Sequence, residues 1–244
     1  MKNWYNSQAR DIWTRHAAAH AALPGMSLVP MQRPEFVLEP ELLFVGMNPS
    51  FASRLKKCPM RYRFVWRPVF TDEELSELEA HEHMSRQNYA VYFRPLERFA
   101  HDVGVDAKQV EHLDLLPLRH TSQAEVVSSY WGKAGRAHVV VEECFALFEE
   151  ALLRLKPQIV VVANAEASRK IRDRLDLATR DGGRSHYWTE MEETTLFLSG
   201  MLTGQRALDE FSRARLAAEV RDQVRQRRAH HPQCAHTSFQ VLSA

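Results

Sequence analysis

Cysteine is scarce in this chain: Cys58, Cys144 and Cys234 are the only three among 244 residues, at no regular spacing. Such scarcity excludes a disulfide scaffold and indicates a reducing compartment. It also excludes the four thiolates that hold an iron–sulfur cluster. Long apolar runs are missing too. No stretch approaches membrane-spanning length, and Met1-Lys2-Asn3-Trp4-Tyr5-Asn6 lacks the apolar run of a signal peptide. A cytoplasmic, monomeric protein with no membrane partner is expected. Charge of one sign is absent overall, because 32 basic and 31 acidic side chains leave a net charge of +1. His230, His231, Cys234 and His236 fit no structural zinc spacing. Residues 229–244 are therefore expected to be a disordered tail, and no metal or other cofactor is expected.

What is present starts with size and pattern. At 244 residues and 45% apolar, the chain can build one α/β-sized core. Leu42-Leu43-Phe44-Val45 is a short, wholly apolar run, the signature of a buried strand in a parallel sheet. Gly46-Met47-Asn48-Pro49-Ser50 follows it directly. Pro49 lacks an N–H and biases Asn48 toward extended backbone, so the strand must stop there. An amide is thereby held at the carboxyl end of a strand, the edge where open α/β sheets bind ligands. Asn48 has no usable pKa and cannot be a general base. It can hold a water with one group and a substrate atom with the other. The plainer alternative is a turn asparagine that satisfies its own loop.

The rest of the chain alternates strands and helices. Helices are expected at 3–20, Arg86 to Val103 (kinked or started by Pro95), Gly135 to Leu155, Ala165 to Leu175 and Gln205 to Arg228. The long amphipathic helix places Val139, Val140, Cys144, Leu147, Phe148 and Leu152 on its buried side. Further strands are expected at His112 onward, Gln158 to Ala163 and Thr194 to Ser199, with a hairpin-like stretch at Tyr187-Trp188. This order predicts a three-layer α/β/α fold around a central, mostly parallel four-stranded sheet. Residues 1–40 read as a helix and a proline-spaced arm packed on a core domain of 41–228.

Charge is distributed unevenly within that domain. Arg54, Lys56, Lys57, Arg61, Arg63 and Arg67 occur without an acid among them, interleaved with Tyr62, Phe64 and Trp66. A cationic, aromatic loop suits a polyanion whose bases can stack. Asp72, Glu73, Glu74, Glu77, Glu79 and Glu82 follow on what reads as an exposed helix, expected to face away from any polyanion. Alternatively the two runs pair with one another on a solvated surface. Residues 51–88 form one insertion, basic then acidic.

Two later segments join the Asn-Pro motif. His112-Leu113-Asp114-Leu115-Leu116-Pro117-Leu118-Arg119-His120-Thr121-Ser122-Gln123 is a strand running into a polar loop. Leu196-Phe197-Leu198-Ser199-Gly200-Met201-Leu202-Thr203-Gly204-Gln205-Arg206 is a strand, a glycine-bracketed loop and a helix start. Together and in this order they resemble the uracil-DNA glycosylase superfamily, closest to its mismatch-specific and single-strand-selective branches, over roughly residues 41–225. The resemblance implies a monofunctional DNA glycosylase that flips a pyrimidine out of the stack and leaves an abasic site. It implies that Asn48 positions the water. Met47, Phe51, Tyr92 and Asp114 would surround the base. DNA would be contacted by Ser50, by Arg54, Lys56, Lys57, Arg61 and Arg63, and by Arg119, Thr121 and Gln123. Gly200, Met201, Leu202, Thr203 and Arg206 would touch it too, with Met201 or Leu202 filling the gap left by the flipped base.

Two departures from that family matter. Asp114 stands where relatives carry an amide that reads the base edge. An ionised carboxylate only accepts, which suits the N4 amino group of cytosine and repels uracil O4; protonated, it could also donate. Capping a loop or pairing with Arg119 is the alternative for Asp114. Ser199-Gly200-Met201 stands where relatives carry His-Pro-Ser or Asn-Pro-Ser, so a leaving-base donor is missing. A modified cytosine, hydroxymethylated or glycosylated in foreign DNA and excised in antiviral defence, is the expected substrate. Uracil or mismatched thymine is the alternative, as is an inactive DNA-binding relative.

Overall fold

Strand β1 (Leu42–Gly46) is buried at every position, and its side chains divide between two separate cores. Leu43 and Val45 enter one, Leu42 and Phe44 the other. Strands β3 (Ile159–Ala163) and β6 (Thr194–Ser199) split in the same way: Val160, Val162, Leu196 and Leu198 on one face, Ile159, Val161 and Phe197 on the opposite one. Side chains alternate across a strand with period two, so a strand apolar throughout needs a helical layer on each face. The structure, a computed structural model, describes residues 1–18, 30–49, 69–120, 122–131, 138–178, 180–181, 186–191, 193–204 and 207–230.

Helices α1 (Lys2–Arg15), α4 (Gln123–Trp131), α5 (Val139–Leu155) and α6 (Ala165–Leu175) pack on the first face. Leu75 and Leu78 of α2 (Asp72–Asn88) join them. Helices α3 (Ala90–Asp102) and α7 (Glu210–His230) cover the second face through Leu96, Phe99, Leu216 and Val220. The architecture is the expected three-layer α/β/α. No helix among the described residues is long and apolar enough to cross a membrane.

The sheet is larger than expected. Strands β2 (Val110–Asp114), β1, β3 and β6 run parallel in that order, as the four-stranded reading requires. Strands β5 (His186–Met191) and β4 (Arg180–Asp181) then extend it antiparallel, giving six strands among the described residues. The aromatic stretch at Tyr187-Trp188 is thus part of the sheet, with Trp188 stacked on Phe197 at 6.3 Å.

Local chemistry sets several boundaries. Helix α6 begins where Asn164 accepts from the N–H groups of Glu166 and Ala167, at 3.0 and 3.1 Å. Lys156 ends α5 in a left-handed conformation, φ 49°, and Pro157 cannot continue it. Helix α7 starts at Glu210 rather than Gln205 because Asp209 accepts from Ser212 N–H at 3.0 Å. Val139 is exposed, unlike the other apolar residues expected on the buried side of α5, because at about 100° per residue it turns away from the face that carries Val141, Cys144 and Phe148.

The acidic helix departs most from its sequence reading. Thr71 and Glu74 form a reciprocal cap at the start of α2, Thr71 N–H to Glu74 Oε2 at 2.9 Å and Glu74 N–H to Thr71 Oγ1 at 3.2 Å. Glu79 accepts from Lys2 Nζ at 2.9 Å. Glu82 is buried against Arg119. Glu74, Glu79 and Glu82 therefore meet partners inside the fold, while Asp72, Glu73 and Glu77 are exposed as expected.

Candidate active site

Strand order fixes where a ligand can sit. Strand β2 lies on one side of β1 and β3 on the other, so the chain reverses its direction of travel between β1 and β3. Ligands of open α/β sheets bind at the carboxyl ends beside such a switch point. A cavity of about 290 Å³ occupies this position. It draws on Met47, Asn48 and Pro49 after β1, Asp114 at the end of β2, Asn164 after β3, and Met201, Thr203 and Gly204 after β6. Tyr92, Arg119 and Gln123 line it as well. Three sequence motifs, beginning at Gly46, His112 and Leu196, therefore converge on one hole.

Hydrogen bonds hold the two loops nearest Asn48 together. Leu115 N–H donates to Gly46 O at 3.0 Å, Leu116 N–H to Met47 O at 2.9 Å and His120 N–H to Pro49 O at 3.2 Å. The half-buried Asn48 amide donates through Nδ2 to Pro49 O at 3.2 Å and Leu118 O at 3.4 Å. Two carbonyl partners fix which way the amide faces, since only its NH₂ can donate to them. Its Oδ1 remains the group that can accept from a water. Met47 is buried in the core cluster of the first face and meets the cavity from there.

Asp114 lies opposite Gly46 in the β1–β2 register. A Cβ on residue 46 would come within 2.3 Å of Asp114 Oδ1 and 3.1 Å of the Tyr92 hydroxyl. Glycine is required there because the carboxylate occupies the space a side chain would take. Asp114 is buried, and His112 shares its strand face two residues earlier.

The first turn of α3 supplies an aromatic wall. Tyr92 stacks on Tyr89 at 5.6 Å, meets Phe93 edge-on at 5.1 Å, and its hydroxyl contacts His112 Nε2 at 3.1 Å. Burial above all, then the charges of Asp114 and Tyr89, push the Tyr92 phenol far above its ordinary pKa. It stays a neutral hydroxyl, able to donate and to accept. Pro95 lies inside α3 and neither starts nor ends it.

Arg119 is no free cation for phosphate. It is buried and bound at two points to Glu82, Nε to Oε1 at 2.8 Å and Nη2 to Oε2. Gln123 is engaged too, in a reciprocal amide pair with Asn164: Asn164 Nδ2 to Gln123 Oε1 at 2.9 Å, Gln123 Nε2 to Asn164 Oδ1 at 3.3 Å. Leu202 cannot fill a gap in DNA, because it is buried in the second core against the α7 layer. Met201 is half-buried and does reach the cavity. Gly200 faces Leu208, whose Cδ2 would lie 2.7 Å from an added Cβ, so packing explains this glycine. Gly204, at φ 80°, makes the turn that brings Thr203 to the cavity. Ser50, Phe51, Arg54, Lys56, Lys57, Arg61, Arg63, Thr121 and Arg206 lie outside the described residues, as do His231, Cys234 and His236.

Sequence reading missed Asn164, Arg33, His112 and Glu82 as cavity residues. Asn164 carried a usable signal, since an asparagine between a β-branched run and a helix marks both an N-cap and a carboxyl strand end. Arg33 and Glu82 carried none, because their partners are far away in sequence.

Among the described residues no group of three or more His, Cys, Asp or Glu side chains is placed to hold a metal ion. No protein-family model matches this chain, and no curated protein is significantly similar to it.

Proposed function

We propose that this chain is a monofunctional DNA glycosylase of the uracil-DNA glycosylase superfamily that acts on a flipped-out modified cytosine. The supporting observation is the shared cavity: Asn48, Asp114 and Tyr92 line one space of base size at the switch point of the sheet. The three motifs that resemble the family support it as well.

The chemistry is hydrolysis. Water adds to the anomeric carbon, and the glycosidic bond breaks with its electron pair leaving on the base, which takes up a proton. Asn48 Oδ1 accepts from that water and aims it. Asp114 accepts from the base N4 amino group, while the aromatic wall of Tyr89, Tyr92 and Phe93 flanks the ring. No carboxylate replaces Asn48 as a base, so rate comes from positioning and from electrostatics in a closed site. No lysine occurs in the three motifs or among the described residues lining the cavity, so a Schiff base and strand cleavage are not expected. The basic run from Arg54 to Arg63 would follow the DNA backbone.

A second reading rests on the Asn48 amide itself. Its NH₂ group satisfies two loop carbonyls, as a purely structural asparagine would in a relative that binds DNA without cleaving it. One experiment separates the readings. Oligonucleotides carrying uracil, mismatched thymine, cytosine and modified cytosines are incubated with protein and treated with alkali. Breaks at modified cytosine, lost in Asn48→Ala with DNA binding retained, support the glycosylase. Breaks at uracil alone transfer the activity to the other substrate class, and no breaks on any substrate leave the DNA-binding reading.

A further inference from the structure

Tyr92 does more than wall the cavity, because its hydroxyl has a fixed place. The ring stacks on Tyr89, and Tyr92 and Phe93 both meet the His112 ring edge-on, at 5.5 and 5.4 Å between centroids. Residues two apart share a strand face, so His112 and Asp114 form one row on the side of β2 that α3 covers. The phenol oxygen meets both members of that row. It lies 3.1 Å from His112 Nε2. It also lies 3.1 Å from the point where a Cβ on residue 46 would stand, a point only 2.3 Å from Asp114 Oδ1. Gly46 thus leaves open the space over which hydroxyl and carboxylate are neighbours. Tyr92, His112 and Asp114 all line the cavity.

The hydrogens of this row can be counted. Burial first, then the charges of Asp114 and Tyr89, keep the phenol protonated, so its oxygen carries one hydrogen and accepts another. A neutral imidazole nitrogen either donates or accepts. An ionised carboxylate only accepts, and it holds a hydrogen more strongly than a neutral nitrogen does. The Tyr92 hydrogen is therefore drawn toward Asp114 and away from His112. That direction requires the 3.1 Å contact to run the other way, from His112 Nε2–H to the phenol oxygen. The imidazole then occupies the accepting side of the hydroxyl and leaves its donating side to the cavity.

We propose that Tyr92 is a specificity-determining residue whose hydroxyl donates to N3 of a cytosine while Asp114 accepts from its N4 amino group. His112 is the positioning residue behind it, protonated at Nε2 and fixing the direction of the Tyr92 hydrogen. Cytosine and its 5-substituted forms carry the N3 acceptor beside the N4 donor, and these two atoms adjoin on the base as hydroxyl and carboxylate adjoin over Gly46. Uracil carries N3–H beside O4 and meets a donor at the first point and an acceptor at the second. Asp114 alone reads the exocyclic amino group; Tyr92 adds the ring nitrogen next to it. This deepens the glycosylase reading and rests on it for the identity of the reaction, though not for the binding of the base.

The test uses the whole protein and free bases. Cytosine is compared with uracil and with 3-deazacytosine, which keeps the amino group and replaces N3 by C–H. The wild type should bind cytosine about tenfold or more tighter than 3-deazacytosine, the scale of one lost buried hydrogen bond, and tighter than uracil. Tyr92→Phe keeps the ring and removes the hydrogen, and it should bind cytosine and 3-deazacytosine alike. The ring-nitrogen resonances of His112 should show a hydrogen on Nε2 in the wild type, a readout that needs no variant to fold. Equal wild-type binding of the two bases, binding of neither, tighter binding of uracil, a preference that survives in Tyr92→Phe, or a bare His112 Nε2 overturns the assignment. Abasic-site formation separates the two claims: excision of modified cytosine without the cytosine preference overturns the Tyr92 contact and spares the glycosylase. The preference without excision upholds the contact and sinks the glycosylase.

Discussion

Arg33 and Arg119 are both buried arginines lining the same cavity, and they are spent differently. Arg119 meets Glu82 side-on with two nitrogens, the arrangement that satisfies a guanidinium and a carboxylate together. Arg33 divides its bonds between a carboxylate and a backbone carbonyl, and its Nε has no hydrogen-bond partner among the described residues. The same division runs through the amides. Gln123 and Asn164 satisfy one another, whereas Asn48 uses its NH₂ on the loop and its Oδ1 has no hydrogen bond among the described residues. Arg119, Gln123 and Asn164 are thus spent on building the cavity wall, whereas Asn48 keeps an acceptor at the cavity. Stability and activity should therefore separate along this line.

Arg119→Ala gives the largest expected effect. It strands Glu82 as a buried unpaired carboxylate and should cost about 3–5 kcal/mol in denaturant unfolding. Replacing both residues by methionine should restore most of that loss. An Arg119→Ala protein that keeps its stability but fails to bind DNA would move Arg119 to the ligand-facing group. Asn48→Ala should behave oppositely. Excision should fall about a hundred- to thousandfold, the scale of losing one positioned polar group in a reaction site, with little change in melting temperature because Asn48 is half-buried and its two bonds are long.

Asp114→Asn comes next. Excision of modified cytosine should fall about ten- to hundredfold, and activity on uracil should rise in the same assay. Equal losses on both bases would show that Asp114 holds the wall and reads nothing.

The smallest effect concerns pH. Burial is the largest cause raising the pKa of Tyr5, Tyr92, Tyr130 and Cys144 above their ordinary values. With raised folded values, their contribution is complete below the ordinary thiol and phenol pKa values of 9.0 and 10.0. It is lost as pH rises from there toward the folded values, because the unfolded chain releases those protons first. Unfolding midpoints should fall above about pH 9, and Cys144→Ala should delay the onset. A midpoint flat to pH 11 would contradict the burial of these groups.

Short-range patterns carried most of the fold. The apolar runs of β1, β3 and β6 and the bounds of α6 were legible because each depends on neighbours within a few residues. Asn48 and Asp114 were expected around one base only through the family resemblance, and the strand order that brings them to one edge is seen in the fold itself. Glu79 and Glu82 on α2 were misread because Lys2 and Arg119, which absorb them, lie 77 and 37 positions away. Leu202 was misread for a related reason: a leucine in a glycine-bracketed loop gives no local sign that it folds inward onto α7.

The strap formed by Arg33 has a temporal consequence. Its bonds reach Glu111 and the His112 carbonyl along the outer edge of β2, an edge that is in place only once β2 has paired with β1. The arm should therefore dock after the sheet has assembled. In refolding, the far-UV signal of the sheet should return before the Arg33 and Val37 amides, which bond to Asn6 and Glu111, gain protection from hydrogen exchange. Simultaneous recovery would show that the arm joins the nucleus. The chain would thus pass through an age at which its sheet is complete but its cavity still lacks the wall that Met31 and Arg33 supply.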